Sequence, residues 1–239
     1  MEAWKRAILN VMALPALLFL SCLGALASLS CAGSPSRAAD RLEIALPIAE
    51  AYSPAQVSAA QTSIVAGGKS LVGKASLVVN GKTYPNDCTG LVRAAYAFAD
   101  IDLAYRFGSY AGNGVRRLHE TLLDEGLLYA TRYPAPGDLI FWDNTYDANG
   151  NGKADDEFTH VGLIIATEPD GAALYLHYHY RLGPVIERMN LVTPDDERLI
   201  DGKPANAVLR MRGSPPGPGS NAAQLFRVLG KGYELKAPL

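Results

Sequence analysis

A cysteine near residue 90 is the residue of this chain whose type and position most suggest chemistry. Cys88 follows a turn at 84–87 and begins an apolar stretch typical of a helix. Asn86 or Asp87 is suited to cap that helix, because a side-chain oxygen there accepts an otherwise unpaired backbone N–H. The first turn of a helix favours negative charge, so we expect the pKa of the Cys88 thiol to be lowered. The alternative is a small buried residue at a helix start.

Three of the four histidines fall where they could assist such a thiol. His177 and His179 lie two residues apart in a predicted strand, so both side chains point to the same face. A hairpin with the preceding strand would bring His160 close to them. A cysteine nucleophile needs an adjacent imidazole to accept its proton and a third group to orient that imidazole. The alternatives are histidines satisfied by structural neighbours, and a three-histidine metal site that no further ligand spacing supports.

The composition is that of an ordinary globular protein. The chain has 239 residues, of which 49% are hydrophobic and 19% are charged, and this length suits one domain with tails. The net charge of −2 provides no basic field for nucleic acid or acidic lipid, so no nucleic-acid partner is expected.

The first residues, 1–31, are predicted to form a secretory signal outside the fold. Lys5 and Arg6 precede an apolar run at 7–20, and small residues follow it. The run is interrupted by Pro15 and is shorter than the ~20 apolar residues that a membrane-spanning helix needs. We therefore expect export to the cell envelope.

Two of the three cysteines, Cys22 and Cys31, belong to this signal segment. The stretch 29–33 resembles a bacterial lipobox, in which the cysteine becomes the lipidated first residue, and Cys22 is a second candidate. A lipid anchor in the membrane and a plain cleaved signal with a periplasmic product both stay open. Cleavage at or after Cys31 leaves Cys88 without a disulfide partner, and an unpaired thiol in an exported protein indicates reactivity.

The rest of the chain indicates an α+β domain at 56–213, preceded by an Ala-, Ser- and Pro-rich tether at 32–55. Residues 214–239 are predicted to form a Pro/Gly linker and a tail, in which 222–229 is a short docking helix or is loose. His119 is expected on the solvated face of a helix. The predicted helices lie at 56–72, 88–99 and 115–126, and the predicted strands at 139–142, 161–166, 172–181, 185–191 and 207–211.

An acidic insert at 143–157 has the spacing of a calcium-binding loop. Oxygen-bearing side chains recur at alternate positions, so they could wrap one Ca²⁺ and order the loop that leads into His160. Phe158 stands where the usual twelfth-position acid would be, and Asp156 or Glu157 could substitute. The alternative is a solvated loop, since Asn, Asp and Gly favour turns in any case. The candidate ligands are Asp147, Asn149, Asn151 and Asp155.

Three ordered motifs carry a resemblance to a known family. They are Asp-Cys-Thr-Gly-Leu-Val at 87–92, Pro-Gly-Asp-Leu-Ile-Phe-Trp at 136–142 and His-Val-Gly-Leu-Ile at 160–164. Together they resemble the NlpC-type cell-wall cysteine peptidases, and they are similar to the related CHAP amidases. The resemblance covers about residues 60–212 and implies a papain-like core, with N-terminal helices packed on a mainly antiparallel sheet.

The resemblance also implies residue functions. Cys88 matches the nucleophile, His160 the base and His177 the third residue, with His179 as the rival for that position. The implied activity is hydrolysis of amide bonds in peptidoglycan stem peptides through an acyl-enzyme, by a monomer that requires no cofactor for catalysis. The implied substrate-binding residues are Tyr84 and Asp87.

Two departures from the family pattern bear on specificity. Thr89 replaces the usual serine, and the Gly-Gly that shapes the substrate groove before the cysteine is missing. One alternative is a non-catalytic, calcium-stabilised module that binds cell walls. Another is a thiol acyltransferase with the same three residues.

Overall fold

A computed structural model describes residues 44–199, 201–237 and 239. The predicted signal and the tether as far as residue 43 lie outside the described residues. The described chain is an α+β fold in which helices precede most of a mainly antiparallel sheet, as the sequence predicts. None of its helices is both long and apolar enough to span a membrane.

The helices are α1 (Ala59–Ser70), α2 (Cys88–Tyr96) and α3 (Gly114–Asp124). The strands are β1 (Leu77–Val79), β2 (Lys82–Tyr84), β3 (Leu128–Tyr129), β4 (Leu139–Trp142), β5 (His160–Thr167), β6 (Ala172–His179), β7 (Gly183–Asn190) and β8 (Phe226–Gly230).

The main sheet has six strands in the order β3-β8-β4-β5-β6-β7, and every neighbouring pair is antiparallel. β1 and β2 form a separate hairpin. The turn between them is formed by Asn80 and Gly81, which both have positive φ. Short 3₁₀ turns at Ala97–Ala99, Phe107–Ser109 and Gly232–Glu234 complete the described elements.

The C-terminal segment corrects the predicted domain boundary. The prediction of a helix or loose tail at 222–229 was wrong, because Phe226–Gly230 forms β8 between β3 and β4. A short apolar run fits a strand or a buried helix equally well from its local pattern. Only pairing with distant strands settles it as a strand, so the folded domain continues well past residue 213.

The end of the predicted tether also contacts the domain. The Glu50 carboxylate accepts hydrogen bonds from the Thr131 hydroxyl at 2.6 Å and from the Arg132 backbone N–H at 2.8 Å. The Arg132 side chain donates to the Pro47 carbonyl at 2.8 Å. Residues 47–50 are therefore anchored on the described domain.

Both faces of the main sheet are covered. Along β4, Leu139 and Phe141 point into the core on the helix side, and Ile140 and Trp142 into a second core on the opposite face. This is the two-residue alternation of a strand that is buried on both sides. Helix α2 belongs to the first core and packs against β5, so its first turn lies near the beginning of that strand.

Candidate active site

The start of α2 positions the candidate nucleophile. The Asp87 carboxylate accepts a hydrogen bond from the Gly90 N–H at 2.7 Å, so Asp87 rather than Asn86 caps the helix. Asn86 instead donates from its amide to the Ala75 carbonyl at 3.0 Å. A Cβ at Gly90 would lie 1.9 Å from the Pro85 carbonyl oxygen, which explains the glycine of this motif. Cys88 is thereby fixed as the first residue of the helix.

The environment of Cys88 raises rather than lowers the pKa of its thiol. Cys88 is half-buried. The loss of water around its sulfur, followed by repulsion from the nearby Asp87 carboxylate, raises the pKa of Cys88 to about 11. Hydrogen bonds from the Val161 backbone and from Thr89 act in the opposite direction but are weaker. The expected lowering was wrong, because removing the thiolate from water outweighs the helix terminus. The Cys88 side chain therefore rests as a thiol at neutral pH.

Two histidines and a glutamate form a hydrogen-bonded row across the strands of the sheet. His160 Nε2 lies 3.0 Å from His177 Nδ1, and His177 Nε2 lies 3.1 Å from Glu187 Oε2. The Tyr175 hydroxyl donates to the same glutamate oxygen at 3.1 Å. We call His160, His177 and Glu187 the histidine relay. It links the first residue of β5 to β6 and then to β7.

The electrostatics of the relay favour a neutral base and a charged glutamate. Burial, together with repulsion from His177 and His179, holds the pKa of His160 well below its usual value. Burial acts to raise the pKa of Glu187, but the hydrogen bond and charge of His177 and the Tyr175 hydroxyl bring it below its usual value. An unprotonated imidazole and a thiol therefore line the same cavity, with a carboxylate at the far end of the relay.

The structure separates the two rivals for the third position. His177 contacts His160 directly and is only 2% exposed. His179 instead accepts hydrogen bonds at Nδ1 from the backbone N–H groups of Arg181 and Leu182, and its ring stacks on Tyr180 with centroids 4.8 Å apart. His179 therefore stabilises the turn that follows β6.

One cavity of about 540 Å³ brings the candidate catalytic residues together. Cys88, His160 and His177 all line it, and Asp87 lies at its edge with one carboxylate oxygen occupied by the helix cap. Its remaining walls combine tyrosines, arginines and small polar groups with the apolar side chains of Val208, Leu209 and Met211. The remaining lining residues are Asn86, Thr145, Tyr146, Thr159, Tyr178, His179, Tyr180, Val208, Leu209, Arg210, Met211 and Arg212.

Tyr84 does not belong to this cavity. It is 4% exposed and part of the core on the helix side, with the Arg93 guanidinium 5.8 Å from its ring centre. Tyr84 therefore packs in the same core as the buried face of α2. Its predicted contact with substrate is corrected to a packing contact.

The acidic loop folds around its own side chains. The two carboxylate oxygens of Asp147 accept the backbone N–H groups of Asn151 and Gly152 at 3.2 and 2.9 Å. Asp155 accepts the side-chain amides of Asn149 and Asn151. The four candidate calcium ligands are thus neighbours. They include only two carboxylates, and among the described residues no group of three His, Cys, Asp or Glu side chains is arranged to hold a metal ion.

The loop ends in a strained residue two positions before His160. Phe158 has φ of 54°, which is unusual for a bulky residue, and its ring lies 4.7 Å from the Arg116 guanidinium and 5.2 Å from that of Arg227. His119 packs on the same ring with centroids 4.2 Å apart. Burial, then the Arg227 and Arg116 charges, lower the pKa of His119 to about 4. The prediction of a solvated His119 was wrong.

Sequence reasoning missed Glu187 and Phe158. Glu187 reaches the relay because β6 and β7 pair in a register that sets it opposite Tyr175. That register is a long-range property and leaves no local signal. The backbone conformation of Phe158 likewise has no signature in its side-chain type.

Comparison of the chain with protein-family models, with curated protein sequences and with solved structures finds no match.

Proposed function

We propose that the protein is a cysteine peptidase or amidase, of the papain-like NlpC/CHAP type, that hydrolyses amide bonds in peptidoglycan stem peptides. The observation that carries the proposal is the shared cavity of Cys88, His160 and His177, in which the two imidazoles are hydrogen-bonded to each other. A cysteine on a helix, packed against a sheet that supplies a base and an orienting group, suits nucleophilic catalysis.

In the proposed acylation step His160 is the general base. Its Nε2 is engaged by His177, so Nδ1 accepts the proton as the Cys88 sulfur attacks the carbonyl carbon. The oxyanion that develops is stabilised by backbone N–H groups at the start of α2. Collapse breaks the C–N bond, and the leaving amine takes the proton from His160.

Deacylation completes the cycle. A water molecule gives a proton to His160 and attacks the thioester carbonyl. The C–S bond then breaks, the proton returns to the sulfur, and a carboxylic acid product leaves. Because Cys88 rests as a thiol and His160 as a neutral imidazole, proton transfer accompanies attack and no ion pair exists beforehand.

The cavity walls are compatible with a stem peptide. Arg212 offers positive charge for substrate carboxylates, and Tyr146 and Tyr178 offer aromatic surface for a peptide chain. A secretory signal, expected from the sequence, would place the enzyme in the compartment that contains peptidoglycan. The lipoprotein alternative would hold it at a membrane there.

The test is digestion of purified peptidoglycan, with mass spectrometry of the soluble products. We expect the wild type to release peptide fragments and Cys88→Ala to release none. His179→Gln, which changes another histidine of the same cavity wall, serves as the matched control and should retain most of the activity.

Fragment release that persists in Cys88→Ala contradicts the proposal. Wild-type protein that sediments with cell walls but releases nothing supports the alternative, a non-catalytic wall-binding module. New amide products formed in the presence of added amines, in place of hydrolysis, would indicate an acyltransferase.

A further inference from the structure

We infer that Glu187 is a positioning residue whose carboxylate dictates which nitrogen of His160 is free to accept the Cys88 proton. The inference rests on the proposed function for the parts played by Cys88 and His160. Its central claim concerns proton positions in the resting protein, which can be measured without any substrate.

The first step is the contact between Glu187 and His177. Oε2 of Glu187 lies 3.1 Å from Nε2 of His177. A carboxylate can only accept a hydrogen bond, so the proton between them belongs to His177 Nε2. The Tyr175 hydroxyl also donates to Oε2 and holds this oxygen in place.

The second step follows along the relay. In its neutral form, His177 carries its single proton on Nε2 and therefore has an acceptor at Nδ1. His160 Nε2, 3.0 Å from that acceptor, must then be the protonated nitrogen of His160. Nδ1 of His160 is left with its lone pair, which is the state that a general base requires. Reversing the proton at His177 would reverse the one at His160 and abolish the base.

Other charged or titratable groups near Glu187 could compete with His177 for its carboxylate. Glu187 faces His177, Tyr175 and His179, while His160 faces His177 and His179. The adjacent Arg188 is engaged elsewhere, with Glu168 at 3.4 Å and Asp170 at 3.2 Å. The negative charge of Glu187 is therefore directed to the relay.

Glu187 does not line the cavity, and its side chain is 26% exposed. It therefore acts through His177 and not on substrate. Hydrogen bonds to charged groups contribute about 1.5–3 kcal/mol, so loss of this one corresponds to about a 10- to 150-fold loss of kcat/KM. Because no substrate contact is removed, the loss should fall on kcat with KM nearly unchanged.

The decisive experiment is NMR of the purified full chain labelled with ¹⁵N-histidine at neutral pH, which reports the tautomer of each ring. We expect His160 and His177 both to carry the proton on Nε2. In Glu187→Gln, the rings of His160 and His177 should no longer both be protonated uniformly on Nε2. The substitution should lower kcat about 10- to 150-fold and move the acidic limb of the pH–activity profile to lower pH. Glu187→Asp should restore the pattern and part of the activity. Glu168→Gln, which removes a nearby exposed carboxylate, is the matched control and should change neither.

A wild-type His177 protonated on Nδ1 overturns the inference and needs no variant. Glu187→Gln with unchanged tautomers and an unchanged pH profile also overturns it. If the wild type shows the expected tautomers but cleaves no peptidoglycan, the proton arrangement is supported and the proposed function fails. The two failures are thereby distinguished.

Discussion

Two buried polar clusters occupy the same sheet and differ in what they can do. The histidine relay opens into the cavity through His160, whereas Asp138, at the start of β4, is fully buried. The Asp138 carboxylate accepts hydrogen bonds from the Tyr129 hydroxyl and, at 2.6 Å, from the Ala135 N–H. We call Asp138, Tyr129 and Tyr233 the Asp138 cluster. His160 and Asp138 each belong to a prominent sequence motif, yet of these two residues only His160 lines a cavity that a ligand can reach.

Burial displaces the acidity constants of both clusters. It raises the pKa of Asp138 to about 7, against the opposing hydrogen bonds of Tyr129 and Ala135. It lowers the pKa of His160. A shifted pKa thus marks burial in each case, and access to a cavity is what separates the candidate base from a structural carboxyl.

The largest expected difference is in catalysis. His160→Gln should lower kcat/KM on peptidoglycan fragments by about 10³-fold, because it removes the proposed general base. Asp138→Asn, an equally conservative change in the other cluster, should lower it less than about threefold at pH 6. Steady-state kinetics with circular dichroism as a folding control measures both. If both variants fold and lose kcat/KM equally, the two clusters do not differ in their contribution to catalysis.

The pH dependence of alkylation tests whether the Cys88 side chain is an uncharged thiol at neutral pH. With a Cys88 pKa of about 11, its thiolate fraction rises about tenfold per pH unit, so the iodoacetamide rate should increase about 10³-fold from pH 7 to 10. Mass spectrometry of the peptide that contains Cys88 measures it separately from Cys22 and Cys31. A rate that is already at its plateau near pH 6 would instead indicate a thiolate–imidazolium pair.

The Asp138 cluster should control stability rather than activity. The folded pKa of about 7 exceeds the unfolded value, so the folded state keeps its proton longer and loses stability as pH rises from about 4 to 7. The full effect is about 4 kcal/mol, at 1.36 kcal/mol per pKa unit. Asp138→Asn should remove this slope, measured by urea denaturation at pH 5 and pH 7.5.

The titration of His119 also contributes to the pH dependence of stability measured in that experiment. Its lowered pKa, about 4, makes stability increase with pH up to about 6.5, opposite in sign to Asp138. The wild-type slope is therefore a sum, and the difference between wild type and Asp138→Asn isolates the carboxyl. A difference that does not change with pH would contradict the assignment.

The smallest expected effect is that of calcium on the loop that leads into His160. With a dissociation constant of ~1 mM, typical of weak extracellular sites, 5 mM Ca²⁺ would stabilise the fold by about 1 kcal/mol. Asp147→Ala should abolish the increase in Tm, and Asp201→Ala, an acid outside the loop, should leave it unchanged. No calorimetric binding at millimolar calcium would assign the loop to turn formation alone.

Local signals predicted the elements that hold the site. The Asp87 cap, the helix beginning at Cys88 and the strand beginning at His160 follow from capping preference and periodicity over a few residues. Asp87 and Asn86 were equal candidates in sequence, and the contact with Gly90 distinguishes them.

The remaining features depend on contacts between distant segments. Glu187 joins the relay through strand register, and β8 is settled as a strand only by its pairing with β3 and β4. The pKa of Cys88 depends on how completely the fold removes water from its sulfur. None of these can be read from neighbouring residues in the chain.

The position of β8 has a consequence for how the protein folds. The strand nearest the C-terminus lies between β3 and β4, and β4 also pairs with β5, which carries His160. Until β8 is available, one edge of β4 is unpaired and the sheet is divided. We therefore expect the arrangement around Cys88 to become rigid only after residues 226–230 have been synthesised, so that an incomplete chain should lack the proposed activity.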